Sequence, residues 1–137
     1  MEKKKGIERY KEAQDKYYET ALREIECGKK KSDWMLFIFP QILKPDGLKD
    51  SYYLIANCNE AKAYWADPLL SSRLIESTRI VLESGRDPQD IFGYAENTMF
   101  RSCMTLFWEI SKEPIFKEAI NVFYRGGTDG FTLAKLK

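Results

Sequence analysis

Two short blocks of this 137-residue chain place hydrogen-bonding groups beside aromatic rings. The first is Ser32-Asp33-Trp34, followed a few residues later by Gln41. An indole can stack a flat ligand while a hydroxyl, a carboxylate and an amide fix its orientation. The same residues suit a scaffold equally well, with Ser32 as a helix N-cap, Asp33 in a first turn and Trp34 in the core. The second block is Arg101-Ser102 with Thr105. A guanidinium grips phosphate or carboxylate through two parallel bonds, and a nearby hydroxyl adds a donor. The alternative is an arginine that lays its stem on apolar surface and pairs with Asp33, Glu96 or another acid, with Thr105 bonded to the carbonyl four residues back. Gln14 joins these candidates as the polar residue on the apolar side of a long helical pattern, where a buried amide needs partners. Lys29-Lys30-Lys31 suits either a phosphate or a solvated helix C-terminus.

The sequence contains no histidine. That excludes Ser-His-Asp and Cys-His nucleophile systems and zinc sites with imidazole ligands. Proton transfer near neutral pH would fall to a carboxylate, Lys, Tyr or Cys, and Asp33 is the expected acid or base if burial raises its pKa. Cys27, Cys58 and Cys103 form no CxxC pair, so no metal site, redox dithiol or cofactor is expected. They read as reduced thiols, at least two of them packed as small hydrophobes. With 22 Lys+Arg against 21 Asp+Glu, the charge balance argues against nucleic acid or an anionic membrane as partner. The longest apolar run, Trp34–Phe39, falls far short of the roughly 20 residues that a membrane span needs. Met1-Glu2-Lys3-Lys4-Lys5 has no apolar stretch after it, so no secretory signal is expected and the location reads as cytoplasmic. A small anionic ligand is the partner left, and a monomer fits the composition.

The elements that must position these residues are helical. Ile7, Tyr10, Tyr17, Tyr18, Ala21, Leu22 and Ile25 recur at helical spacing, interrupted by Gln14, with Glu8, Arg9, Lys11, Glu12 and Glu24 among the residues of the opposite face. Gly28 stands where a terminating glycine belongs. The run after Ser32 is too short for periodicity to decide between helix and strand, and Pro40 ends it either way. Lys44-Pro45-Asp46-Gly47 is a turn by composition. Further helical starts lie at Asp50 or Ser51 before Tyr52–Ala56, at Asn59 before Glu60–Trp65, and at Asp67-Pro68 and Asp87-Pro88. Met99, Phe100, Cys103, Met104, Phe107 and Trp108 stripe another helix, and Pro114 opens the next, which ends at Gly126-Gly127. No period-2 strand of convincing length appears. The expected fold is all-α, a compact multihelical single domain of about six to eight helices over residues 7–137 behind a flexible tail of residues 1–6. At this length roughly 68% of the unfolded surface is buried, which is enough for a self-sufficient core.

Trp34-Met35 with Phe37-Ile38-Phe39-Pro40-Gln41, and Phe100-Arg101-Ser102-Cys103-Met104-Thr105-Leu106-Phe107, resemble the motif blocks of a bacterial family of unknown function. Its members are sometimes mislabelled "calpastatin". The resemblance extends through Glu60-Ala61, Pro68-Leu69, Arg73-Leu74 and Ile91-Phe92-Gly93 to Thr132-Leu133. It implies a compact helical fold and an uncharacterised activity. The chain departs from that pattern at Asp33 and Asp67, where the family has histidines, and at Asn97 and Met99, where it has an aspartate and a lysine. If those positions form the family's site, its chemistry is altered here. Two functions are therefore expected as alternatives. One is binding of, or action on, a phosphorylated or nucleotide-like ligand by Gln14, Ser32, Asp33, Trp34, Gln41, Arg101 and Thr105, with Arg101 on phosphate and Trp34 on a base. The other is a non-catalytic protein-interaction or regulatory module.

Overall fold

Apolar spacing along the first quarter of the chain produces α1 (Glu8–Glu26), and Gly28 ends it in the left-handed conformation at φ +85°. The Lys29 N–H donates to the Glu24 carbonyl (3.1 Å) and the Gly28 N–H to that of Ile25 (2.9 Å), which satisfies the last carbonyls of the helix. The computed structural model describes residues 6–43 and 52–137. Residues 1–5 of the expected tail, the Lys44–Gly47 turn and the helix start at Asp50 or Ser51 lie outside these.

The short aromatic run resolves as a helix, α2 (Met35–Ile38), and Phe39 leaves the helical region just before Pro40. Then follow α3 (Cys58–Ala66), α4 (Pro68–Glu83), α5 (Pro88–Phe92), α6 (Tyr94–Ser111), α7 (Pro114–Tyr124) and α8 (Gly130–Lys135). Among the described residues there are eight helices and no strand. Both Asp-Pro pairs behave as expected: Asp67 accepts from the Leu69 and Leu70 N–H groups and Asp87 from that of Gln89, each with proline at the first helical position. No helix among the described residues is long and apolar enough to cross a membrane.

Four local expectations need correction. Tyr52–Ala56 is a turn followed by irregular chain, not a helix. Its carbonyls are taken by side chains of α1: Arg9 donates to Tyr52 and Leu54, and the Tyr10 hydroxyl to Tyr53. Arg9 is accordingly only 5% exposed, although its place in the pattern put it on the solvent face. α3 is capped by Asn57 rather than Asn59, because Asn57 Oδ1 accepts the Glu60 N–H at 2.9 Å. Of the three cysteines only Cys103 is fully buried, Cys27 being exposed and Cys58 half-buried.

α6 runs through the middle of the fold, packed by α3, α5, α7 and α8, while α1 lies against α2 and α4. Tyr10, Trp34, Phe39, Tyr64, Phe100, Phe107 and Phe116 form the bulk of the core. Most ring pairs meet edge-on or tilted, the arrangement favoured by the ring quadrupole.

Candidate functional site

The first motif block is held by a residue outside it. Glu24, in the last turn of α1, accepts the Lys31 N–H (2.8 Å), the Ser32 N–H (3.0 Å), the Ser32 hydroxyl (2.6 Å) and the Trp34 indole N–H (2.8 Å). Burial works against its charge, but the bonds from Ser32, Lys31 and Trp34 outweigh it and lower its pKa to about 2. Ser32 therefore does not cap α2; its hydroxyl faces backward to Glu24. Trp34 is 0% exposed and packs on Phe39 and Phe92, so it offers no open face for a base. Asp33 is exposed, without the burial that an acid–base role requires.

Lys30 threads inward from the same loop. Its backbone N–H donates to the Ile91 carbonyl at 2.8 Å, which ties the loop to α5. Its ammonium stands 5.2 Å from the centre of the Trp34 ring and 2.9 Å from Glu96 Oε1 in the first turn of α6. Glu96 Oε1 is buried, and the Lys30 ammonium is its only partner among the described residues. Lys29 and Lys31, on either side, are exposed. Arg86, also exposed, lies over Gly28: a Cβ on that glycine would stand 1.3 Å from Arg86 Nη1. Among the described residues no carboxylate is ion-paired with Lys29, Lys31 or Arg86.

The second block builds a different corner. Arg101 donates through Nε to the Gly127 carbonyl (2.8 Å) and through Nη2 to that of Thr128 (3.0 Å), and its guanidinium lies 5.5 Å from the Tyr124 ring centre. Thr105 donates to the Arg101 carbonyl, four residues back, and accepts the Asp129 N–H at 2.9 Å. Asp129 Oδ2 accepts from Ser102 (2.7 Å) and Thr132 (2.6 Å), closing the α7–α8 corner onto α6. Among the described residues Arg101 thus pairs with carbonyls rather than with Asp33, Glu96 or another acid.

Gln14 and Gln41 are both buried. Gln14 Nε2 donates to the Phe37 carbonyl (2.8 Å) and the Tyr64 hydroxyl (3.0 Å), joining α1, α2 and α3, and the Gln41 carbonyl accepts the Ile55 N–H at 2.9 Å. The seven candidates therefore divide between two corners and an interior network. Asp67 caps α4 and holds Lys11 at 2.6 Å, Asn97 Oδ1 accepts from the Tyr124 hydroxyl at 2.7 Å, and Met99 packs half-buried on the core. Among the described residues no three Cys, Asp or Glu side chains gather as metal ligands.

Sequence reading leaves Glu24 on a polar face, offers Glu96 to Arg101 rather than to Lys30, and does not single out Arg86. Each lies on what reads as a polar helix face or loop, and only long-range packing brings it to the block. The nearest signal was the triple lysine, which requires nearby acids or anions to balance it.

Because the Glu24 pKa lies below its ordinary value of 4.5, the carboxylate stabilises the fold above that pH, and the contribution is lost as pH falls toward 2. Glu24→Gln is expected to lower stability by about 1–2 kcal/mol at pH 7, below the full shift because the site is partly solvated. Urea unfolding should find the gap from the native protein narrowed at pH 3; an equal gap at both pH values would contradict this account.

A family model described as a protein of unknown function, DUF1810, matches residues 4–136. The crystal structure of the conserved hypothetical protein Rv1873 from Mycobacterium tuberculosis is similar over 95% of each chain, with a TM-score of 0.86 and 32% sequence identity. No curated protein matches the chain. With the family model matching nearly the full length, the chain belongs to the DUF1810 family of proteins of unknown function.

Proposed function

We propose that the chain binds a small anion of the phosphate-bearing class at the corner where α1 gives way to α2, with Lys29, Lys31 and Arg86 supplying the charge. The observation that carries this reading is the seating of the Arg86 guanidinium over Gly28, beside two exposed lysines that no described carboxylate neutralises. Glu24 supports it by fixing the backbone after Lys30, so that the cations stand on a bonded loop. The negative end of α1 also lies at this corner, so several cations are needed before an anion gains net attraction. Weak, salt-sensitive binding follows. Arg101 is not the phosphate ligand in this reading, since its guanidinium is taken up by the Gly127 and Thr128 carbonyls.

Arg86→Ala is expected to weaken binding of inorganic pyrophosphate about fivefold or more, on the scale of losing one partly exposed charge contact, while leaving thermal stability unchanged. Calorimetric or NMR titration at low salt tests this; equal affinity in the variant would overturn the assignment. A second reading, the interaction module, draws on Tyr94 and Phe131, each 78% exposed, and on Val122, which stand on α6, α8 and α7. Exposed aromatics of this kind serve as anchors in protein interfaces.

A further inference from the structure

The three consecutive lysines are not equivalent. Lys29 and Lys31 are exposed, whereas the side chain of Lys30 is only 8% exposed and paired with a Glu96 side chain that is 30% exposed. The ammonium stands 2.9 Å from the buried oxygen of Glu96, which accepts no other hydrogen bond among the described residues. An anion carrying two or more charges, with oxygens free to align on an N–H, competes favourably with one such carboxylate.

We infer that Glu96 is a built-in competitor for the anion site: it holds Lys30 in reserve above Trp34, and a bound phosphate-type anion draws Lys30 away from it. The inference rests on the reading of this corner as an anion site. Exchange of Lys30 between Glu96 and ligand would raise affinity only when the ligand's charge exceeds that of a carboxylate, which makes the corner selective for phosphates over monocarboxylates. It would also release the tie between the lysine loop and the first turn of α6. The Trp34 indole reports the event directly, because Lys30 Nζ stands over its ring and its N–H is fixed on Glu24.

The test is an NMR titration of the full chain with pyrophosphate, and with acetate for comparison, following the Trp34 indole N–H resonance, assigned by its loss in Trp34→Phe. In the native protein pyrophosphate should move that resonance and acetate should not. Glu96→Gln keeps the shape of the side chain and frees Lys30; it should bind pyrophosphate about three- to tenfold more tightly. Lys30→Met should bind more weakly and lose the indole response. Native binding with Glu96→Gln equal or weaker, or with an unmoved indole, overturns the competitor role and leaves the anion site standing. Failure of the native protein and of Glu96→Gln alike to bind pyrophosphate overturns the site and the competitor together.

Discussion

Replacing Arg9 by alanine is expected to destabilise the protein by about 3–5 kcal/mol, the cost of removing one partner of a buried ion pair. Arg9 meets Glu60 through two bonds, Nη1 to Oε2 at 3.0 Å and Nη2 to Oε1 at 2.9 Å. It also donates to the carbonyls of Gly6, Tyr52 and Leu54 and to the Tyr10 hydroxyl. Truncation takes the Arg9 donor away from these part-buried acceptors and its counter-charge away from Glu60. Burial opposes ionisation of Glu60, and in the native protein the bonds from Arg9 and the Ala56 N–H outweigh it and hold its pKa below the usual range; the variant keeps the burial and loses the larger of those bonds. Lysine should rescue little, because one ammonium cannot reproduce the planar fork. For a chain of this size the melting temperature should fall by roughly 10–20 °C. Chemical denaturation giving a loss below 1 kcal/mol would show that the segment beginning at Tyr52 is held by other contacts.

Phe100→Ala should cost a similar amount, about 3–5 kcal/mol, by a different mechanism. The Phe100 ring is fully buried and lies 5.0 Å from Phe39, 5.3 Å from Phe92 and 6.2 Å from Phe123, measured between ring centres. It joins Phe39 at the end of α2, Phe92 of α5 and Phe123 of α7 to the central helix. Removing it takes away buried apolar area and leaves a cavity whose walls belong to separate elements and cannot close together. Phe100→Leu should recover more than half of the loss. Urea unfolding should report the change as a shifted midpoint with an unchanged slope; a loss near that of a surface substitution would mean that the neighbouring rings collapse into the space.

The candidate residues illustrate how far local pattern carries. Gln14 reads as a buried amide that must find partners, and its bonds to the Phe37 carbonyl, the Tyr64 hydroxyl and the Arg73 guanidinium supply them. Thr105 makes the back-bond to the i−4 carbonyl expected of a hydroxyl inside a helix. The partners of Arg101 escaped, because carbonyls of a loop twenty-six residues away leave no trace in side-chain pattern. Ser32 looked like an N-cap by type and place, but a carboxylate eight residues earlier offers it a stronger acceptor.

Helix existence, the two Asp-Pro starts, the glycine stop after α1 and the apolar stripes of α1, α6 and α7 were all present in the sequence. Each rests on interactions within about five residues, and such short-range geometry is written in residue order. Tertiary packing alone decided that Tyr52–Ala56 would not be a helix, that Arg9 would be buried, that Trp34 would be sealed and tied to Glu24, and that Lys30 would face Glu96 while its neighbours face solvent. In those places an acceptor or counter-charge from a distant element outcompeted the local preference. A buried polar group must be satisfied by whatever the fold brings to it.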